Sequence, residues 1–495
     1  THGCEPRAEL SSCTTLRTDH YRTVHSEGVM DRVNISSGIN VVKCRIRTLQ
    51  RSVKWDCWYG HMSDDGLHQR KPETSGEKGD NTLSSEEIEK IYSEYEVVEA
   101  PDWESGIERG KDDFGKTMSR RLLHWGPIIA MAITLSIGIS ATYLHLQWWP
   151  LNSVGSFLHL SLFLLFNYLV FSNLAQSAFI GPGYVPLAWS PPSVEFTSHL
   201  QYCAVCEGYK VPRSHHCSTC GRCVMKMDHH CPWINNCVGH RNHAYFIRFL
   251  AAAVAGCIHG AMIISLALYR GLFRAWYIQY GSGEPEVILT VYTFIMSVFA
   301  FGLALGVIVA VGFLLIVQLK GVWKNRTGIE DYIVDKANSY ERSSEFLYPY
   351  DLGWKRNVRE VLGTWNGLPV GNGVWWPIRR PTSQFSLSEE QLMQKKIKRL
   401  NAREVQIIRK FDGTCLSALL IGFRVFICQP CSDERRISVE VGERWMVTRV
   451  NKYWFYATKK VEDPEQEEKL NHPLVLRHHR ALRGWFPRVC AERVP

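Results

Sequence analysis

Four long apolar runs limit most strongly how this chain can fold. They lie at about 126–147, 157–179, 245–269 and 290–318. Each reaches the ~20 apolar residues that a helix needs to cross a bilayer core. The second run is the weakest, because Asn167, Asn173 and Gln176 interrupt it. Buried helices of a soluble protein are the alternative, but four such runs so close together favour a polytopic α-helical membrane protein with four transmembrane helices.

Basic residues gather on one side of these runs. They precede the first run, occupy the 180–244 loop and follow the fourth run, at Arg120, Arg121, Lys210, Arg213, Arg222, Lys226, Arg241, Lys320, Lys324 and Arg326. The 148–156 loop carries no charge, and in the 270–287 loop two arginines are offset by two glutamates. The positive-inside rule therefore predicts that both termini and the 180–244 loop are cytosolic.

Charge and cysteine usage narrow the class of protein further. The formal net charge is +9, but the basic residues flank apolar runs, so we expect anionic lipid or an acyl-CoA phosphate as partners and no nucleic acid. The chain has 16 cysteines, and seven of them lie between Cys203 and Cys237 among histidines. That distribution indicates metal ligands in a reducing compartment rather than secreted disulfides.

The cysteine-rich loop has metal-ligand spacing. It reads Cys203-x2-Cys206-x9-His216-Cys217-x2-Cys220-x2-Cys223-x4-Asp228-His229-His230-Cys231-x5-Cys237. Two residues between cysteines let a tight turn direct both sulfurs at one metal, and zinc suits four tetrahedral thiolate and imidazole ligands. Eight ligands fill two sites, and the loop holds more than eight candidates. One cysteine and some histidines are therefore available for other chemistry.

Cys231 is the best candidate for the free thiol, although spacing alone does not identify it. A free thiol has a pKa of ~8.5 and is mostly protonated at neutral pH. An adjacent imidazole takes the proton, and a carboxylate orients that imidazole. Asp228, His229 and Cys231 supply these three roles within four residues.

Other functions fit parts of this pattern. If Cys231 has no chemical role, the loop is a double zinc finger, and the protein is a non-catalytic, membrane-anchored scaffold that recruits partners through the zinc finger and an SH3-like tail. A RING-type ubiquitin ligase needs longer gaps between ligand pairs, and histidines at ligand spacing argue against a thiol oxidoreductase. The place of the loop between two predicted spans favours an enzyme.

The loop resembles the cysteine-rich domain of the DHHC palmitoyltransferases. The matching positions are His216–Cys217, Asp228–Cys231, Cys237, Asn242 and Phe246. Thr327–Glu330 resembles the TTxE motif of that family, and Asn357–Gly363 resembles its C-terminal motif. The resemblance covers about residues 120–365.

The resemblance implies a protein S-acyltransferase that moves palmitate from palmitoyl-CoA to cysteines of membrane-associated proteins. It implies a catalytic group of Asp228, His229 and Cys231 and a ping-pong reaction through a Cys231 acyl-enzyme. It also implies two structural zinc ions. The first would be held by Cys203, Cys206, His216 and Cys223, and the second by Cys217, Cys220, His230 and Cys237.

Two positions depart from the family pattern. Gly181 stands where the family usually has aspartate before Pro182-Gly183, and Gly328 replaces the second threonine of TTxE. In the family that hydroxyl is thought to help position the catalytic aspartate, so its loss leaves the contact to Asp228 open.

The tail changes character after the last run. A helix is predicted from near Ser388, where Ser388 and Gln391 have capping-box spacing, and its basic face would suit a membrane surface or solvent. Alternating residues then predict a five-stranded SH3-like barrel with an insertion at 459–480. Three cysteines of the tail, Cys415, Cys428 and Cys431, are expected to be buried as small apolar side chains. An alternative hypothesis is that Cys415 or Cys431 is acylated.

The chain thus divides into six expected parts. They are a poorly ordered N-terminal region at 1–115, helices 1 and 2 at 120–180, the zinc domain at 181–243, helices 3 and 4 at 244–320, a cytosolic connector at 321–400 and an SH3-like domain at 404–492. The tail and the Gly181-Pro182-Gly183 variant resemble an endoplasmic-reticulum member of the family, so we expect that membrane and a protein partner for the tail.

Overall fold

The computed structural model describes residues 97–98, 123–281, 283–340, 345–363, 367–430, 432, 434–460 and 483–494. Its four long helices are α1 (Trp125–Trp148), α2 (Val154–Phe179), α3 (His243–Leu272) and, after the short helix α4 (Arg274–Tyr280), α5 (Val291–Trp323). Each is long and apolar enough to cross a membrane, with mean hydropathy between 1.7 and 2.8. Apart from β1 (Val97–Val98), the expected N-terminal region at 1–115 lies outside the described residues.

The polar residues of the second predicted span do not interrupt α2. The Asn167 amide donates to the Phe163 carbonyl at 2.9 Å, and the Asn173 amide donates to the Leu169 carbonyl at 2.7 Å. Gln176 donates to the Ser172 hydroxyl at 2.9 Å. Each side chain thus bonds to the preceding turn, which removes the cost of an unpaired polar group in an apolar setting.

Helix α3 lies at the centre of the four-helix group. It packs against α1, α2 and α5, and 44% of its most apolar stretch is buried, compared with 11% for α5. Phe163 of α2, Ile263 and Ile264 of α3 and Ala300 of α5 meet in one apolar cluster. The outer faces of α1, α2 and α5 remain apolar and exposed, as lipid-facing helices require.

The arginines of the 270–287 loop are paired. Arg274 contacts Glu286 at 2.8 Å, and Arg270 pairs with Glu284 and donates to the Trp148 carbonyl. These ion pairs match the balance of two arginines and two glutamates in the sequence of this loop.

Short elements fill the segments around the helices. Between α2 and α3 lie β2 (Tyr202–Cys203), β3 (Gly208–Tyr209), β4 (His215–Cys217), β5 (Arg222–Val224), β6 (His229–Cys231) and β7 (Asn236–Val238), which form three consecutive hairpins. After α5 come α6 (Gly328–Ser339), α7 (Trp354–Leu362), β8 (Ile378–Arg379), which pairs with β1, and α8 (Ser386–Leu400).

Helix α8 differs from its predicted form. It begins at Ser386, after an N-cap residue with no side-chain cap, so Ser388 and Gln391 do not form the expected capping box. Leu387 and Gln394 are buried, and the Gln394 amide donates to the Ile333 carbonyl of α6 at 2.9 Å. Helix α8 therefore packs against α6 of the connector. The next strand begins at Arg403.

The tail forms an antiparallel sheet of five strands. In spatial order they are β14 (Arg483–Pro487), β13 (Trp454–Lys459), β12 (Arg444–Asn451), β9 (Arg403–Ile407) and β15 (Ala491–Arg493). A 3-10 turn at Arg488–Cys490 joins β14 to β15, and Trp445, Trp454 and Phe486 fill the core. The two edge strands do not pair among the described residues, so the sheet is open where a closed barrel was expected.

A helical insertion separates β9 from β12. It contains β10 (Phe411–Asp412), α9 (Cys415–Ile421), α10 (Phe423–Ile427) and β11 (Ser438–Val439), with β10 paired to β11. Cys415 and Cys428 are exposed, which contradicts their expected burial, because they lie at the outer ends of this helical pair. Cys431 and most of the predicted 459–480 insertion lie outside the described residues.

Candidate active site

The hairpins bring distant cysteines and histidines together. In β4–β5, His216 lies directly opposite Cys223, and in β6–β7, His230 lies directly opposite Cys237. Directly opposed residues have their side chains close together on one face of the ladder. Each hairpin therefore supplies two ligand atoms to one site.

The first cluster contains Cys203, Cys206, His216 and Cys223. Nδ1 of His216 lies 3.5 Å from Cys203 Sγ, 3.4 Å from Cys206 Sγ and 3.9 Å from Cys223 Sγ. A tetrahedral zinc with bonds of about 2.3 Å to sulfur and 2.0 Å to nitrogen holds these atoms about 3.6 Å apart. The cluster fits one zinc ion.

The second cluster contains Cys217, Cys220, His230 and Cys237. Nδ1 of His230 lies 3.7 Å from Cys217 Sγ, 3.4 Å from Cys220 Sγ and 3.6 Å from Cys237 Sγ. These spacings fit a second zinc ion equally well. His216 and Cys217 are neighbours on β4 and point to opposite faces, so this strand contributes to both clusters.

Cys231 belongs to neither cluster. Successive residues of a strand point to opposite faces, so on β6 His229 and Cys231 share one face while His230 points to the other. The Cys231 thiol is 3% exposed and hydrogen-bonds to the His229 side chain. One strand thus gives its middle residue to metal binding and the residues on either side to a thiol–imidazole pair.

Asp228 completes this pair. Its Oδ2 lies 2.7 Å from Nδ1 of His229. Burial opposes the charge of His229, but the hydrogen bonds to Asp228 and Cys231 raise the pKa of this imidazole to about 10. Burial likewise opposes ionisation of Asp228, yet the bond and charge of His229 hold the pKa of the carboxyl below its usual value. The group therefore favours an ionised aspartate beside an imidazole that accepts a proton readily.

The departure at Gly328 does not remove the contact to Asp228. The backbone N–H of Gly328 donates to Asp228 Oδ1 at 2.7 Å. Gly328 is the first residue of α6, where backbone N–H groups have no partner inside the helix. The helix start supplies a donor that depends on no side chain at this position.

Sequence reasoning missed two residues of this network. Gln318 of α5 donates from Nε2 to Asp228 Oδ2 at 3.0 Å, and His243 of α3 lies with Nε2 2.9 Å from Gln318 Oε1. Gln318 was the last residue of the fourth predicted span and His243 preceded the third. The signal available was a lone amide at the end of the 29-residue apolar run at 290–318.

The Cys231 thiol faces the helices. It packs in an apolar cluster with Leu174 and Ala178 of α2 and with Phe246 and Leu250 of α3. At Gly126 of α1, an added Cβ would lie 1.9 Å from the carbonyl oxygen of Pro232. The first helix thus reaches van der Waals contact with the backbone that follows the thiol.

A buried ion pair joins the 180–244 loop to the first turn of α6. Arg213 donates from Nε to Glu330 at 2.6 Å, and both side chains have no solvent exposure. Burial opposes the charge of Glu330, but the charge of Arg213 lowers the pKa of this carboxyl. The same carboxylate accepts from the Thr327 N–H at 2.9 Å, which caps α6.

Two further motif positions, Asn357 and Gly181, lie at hydrogen bonds that join separate segments of the chain. Asn357 of α7 donates to the Trp323 carbonyl at 2.8 Å, which ties the connector to the end of α5. Next to Gly181, the Pro182 carbonyl accepts from the Arg241 N–H at 3.1 Å. The loop is therefore held there by main-chain bonds although Gly181 lacks a carboxylate.

Comparisons with known proteins agree with this site. The DHHC palmitoyltransferase family model matches residues 197–334. The chain is 40% identical over 395 residues to palmitoyltransferase ZDHHC6 of Danio rerio and 39% identical over 393 residues to that of Homo sapiens, covering 76% of this chain and 92% of each relative. It is also 37% identical over 225 residues to palmitoyltransferase PFA4 of Mycosarcoma maydis, covering 40% of this chain and 45% of that relative.

Proposed function

Because this chain belongs to the DHHC palmitoyltransferase family and is a protein S-palmitoyltransferase, we propose that Cys231 carries the acyl group between two transfer steps. One observation carries the proposal: Cys231 lies outside both zinc-type clusters and hydrogen-bonds to His229, which is held by Asp228. A thiol placed next to an oriented base is the arrangement that nucleophilic catalysis needs.

The reaction has two balanced steps. His229 takes the proton of Cys231, the thiolate attacks the thioester carbonyl of palmitoyl-CoA, and the CoA thiolate leaves with that proton. In the second step the thiol of an acceptor cysteine gives its proton to His229 and attacks the Cys231 thioester, and Cys231 leaves protonated. Each step exchanges one thioester for another, so no nucleotide is required. Asp228 orients the imidazole and stabilises its charged form throughout.

The fatty chain would lie among the membrane helices. Cys231 shares its apolar cluster with Leu174 of α2 and Leu250 of α3, and Val311 and Leu314 of α5 pack against the same cluster. An acyl group on the sulfur therefore has an apolar surface to lie against without crossing water.

We assign Cys203, Cys206, His216 and Cys223 to one zinc and Cys217, Cys220, His230 and Cys237 to the other. Each ion would have four protein ligands and no open position, so its role is structural. The hairpin strands are only two or three residues long, and bound metal would supply much of their folding free energy.

We also infer that the zinc hairpins and both termini face the cytosol. Lys210, Arg222 and Arg241 lie in the hairpin loop, whereas Arg270 and Arg274 on the other side are paired with glutamates. We further propose the endoplasmic-reticulum membrane, on the resemblance of the tail and of the Gly181-Pro182-Gly183 variant to a family member of that membrane. The acceptors would then be membrane-associated proteins with cytosolic cysteines.

The tail sheet would bind a protein partner, and its exposed Cys415 is a candidate acceptor of an acyl group. Acyl-exchange labelling of the Cys415→Ser protein checks this point, and undiminished labelling would remove it.

Autoacylation of the full-length protein tests the proposed function. Purified wild type should take up label from palmitoyl-CoA in a hydroxylamine-sensitive form, and Cys231→Ser should abolish the label while keeping two zinc ions per chain. Label that survives in Cys231→Ser would move the acyl group to another residue. Loss of one zinc in that variant would make Cys231 a ligand and favour the non-catalytic scaffold.

A further inference from the structure

Two residues from different membrane helices form an arm that ends on Asp228. Gln318 lies near the end of α5 and donates from Nε2 to Asp228 Oδ2 at 3.0 Å. His243 begins α3, and its Nε2 lies 2.9 Å from Gln318 Oε1. Gln318 is 5% exposed and His243 is 4% exposed. The arm is therefore closed to solvent, where each hydrogen bond is electrostatically stronger than it would be in water.

The two contacts fix the orientation of the Gln318 amide. A carboxylate only accepts hydrogen bonds, so the amide must turn its NH2 group to Asp228 and its oxygen to His243. Nε2 of His243 must then carry a hydrogen. Nδ1 of His243 makes no hydrogen bond within the described part of the chain, so nothing on that side of the ring favours the opposite tautomer.

The arm meets the catalytic group at a single oxygen. Oδ2 of Asp228 accepts from both Gln318 and Nδ1 of His229, while Oδ1 accepts from the Gly328 N–H. With both oxygens held, the carboxylate has no freedom to rotate, and the imidazole bonded to Oδ2 is aimed at Cys231.

We propose that Gln318 is a positioning residue for acyl transfer and that His243 acts through it by fixing the direction of its amide. The proposal rests on the roles proposed above for Cys231, His229 and Asp228. It makes the packing of α3 against α5 part of the catalytic geometry, because a shift between these helices would separate His243 from Gln318 and release Asp228.

The alternative is that Gln318 has a purely structural role, and Asn173 of α2 is an example of an amide with such a role. The buried amide of Asn173 is satisfied by the Leu169 carbonyl of its own helix at 2.7 Å. Gln318 instead reaches from α5 to Asp228 and to α3, and its donor goes to the one carboxylate that orients His229.

The test compares single-turnover acylation of full-length proteins in nanodiscs. In Gln318→Leu, which removes the donor at similar size, the maximal rate of Cys231 acylation should fall at least about tenfold, since hydrogen bonds to charged groups are the strong ones. The palmitoyl-CoA concentration for half-maximal rate, the zinc content and the Tm should stay within error of wild type. Asn173→Leu makes the same chemical change in α2 and should leave the acylation rate unchanged.

A double-mutant cycle separates positioning from packing. His243→Phe should slow acylation in the wild-type background and add little in the Gln318→Leu background, because both changes break the same arm. Additive effects, an unchanged rate in Gln318→Leu, or a rate loss matched by lower zinc content and lower Tm would each overturn the proposal. If Gln318→Leu does not fold, the isosteric Gln318→Glu takes its place with the same expected loss of rate.

The outcomes also separate this inference from the proposed function. A wild-type rate in Gln318→Leu, together with no label in Cys231→Ser, would reject only the arm. Label in Cys231→Ser would reject the acyl-enzyme on which the arm depends.

Discussion

The backbone N–H of Gly328 donates a hydrogen bond to Oδ1 of Asp228 across 2.7 Å. Where the TTxE motif offers a threonine hydroxyl, this chain offers the first free N–H of a helix. Such N–H groups carry the positive end of the helix dipole and favour a carboxylate nearby. Asp228 therefore has a hydrogen-bond donor at this position although Gly328 carries no hydroxyl.

Removing that N–H should slow acylation without breaking α6. Gly328 is the first helical residue, a position that accommodates proline because its N–H has no helical partner. We expect Gly328→Pro to lower the rate of Cys231 acylation by about tenfold or more. Gly328→Ala keeps the N–H and should retain most of the activity in the same autoacylation assay. Equal loss in both variants would indicate that helix packing, and not the donor, matters here.

The contact of Gly126 with Pro232 predicts a strong effect of a single methyl group. A Cβ at Gly126 would lie 1.9 Å from the Pro232 carbonyl oxygen, so α1 or the backbone after Cys231 must move. Gly126→Ala should reduce both autoacylation and Tm. Gly302→Ala in α5 is the matched control, because a Cβ there meets nothing within 4 Å, and its activity should equal that of wild type. A fully active Gly126→Ala protein would contradict the close approach.

Breaking the buried Arg213–Glu330 pair should destabilise the protein far more than breaking an exposed one. Arg213→Leu leaves Glu330 charged, buried and unpaired, which typically costs about 3–5 kcal/mol. Arg274→Leu breaks a pair whose side chains are 46% and 48% exposed, where the expected cost is below about 1 kcal/mol. Thermal unfolding in the same detergent compares them, and similar Tm values for the two variants would count against the buried pair.

Substitution of one ligand should remove the metal of that zinc cluster only, while Cys231 is left unchanged. Cys223→Ser removes one ligand of the first cluster and should lower the zinc content from two ions per chain to one, with loss of autoacylation. Cys257→Ser alters a buried cysteine of α3 outside both clusters and should keep both ions and activity. Mass spectrometry of the intact protein and elemental analysis give the counts. Two ions retained in Cys223→Ser would remove it from the ligand set.

The long elements could be predicted because their signals are local. The four helices begin and end within about five residues of the apolar runs, and even Asn167 and Asn173 fit, since each bonds within its own helix. The cysteine spacing predicted two four-ligand metal clusters, and the family resemblance implied which residues share each one.

Contacts between distant segments could not be predicted in this way. Gln318 and His243 are separated by 75 positions and meet only because α3 and α5 pack together. Helix α8 begins at Ser386, close to the predicted start, but the capping box predicted at Ser388 is absent and the contact of Gln394 with Ile333 of α6 had no local signal. The tail cysteines were expected inside, yet Cys415 and Cys428 lie at the ends of an inserted helical pair whose position no local pattern encodes.

The alternation along β6 has a consequence for how the motif could vary. Replacing one side chain alters one role, but adding or deleting a residue between Asp228 and Cys231 would turn the strand over, so that the thiol faced the metal and a ligand histidine faced the membrane. Length is therefore the strictest requirement of this tetrapeptide. A surface loop tolerates a one-residue insertion, but an insertion here would displace a zinc ligand and the acyl-carrying thiol at the same time.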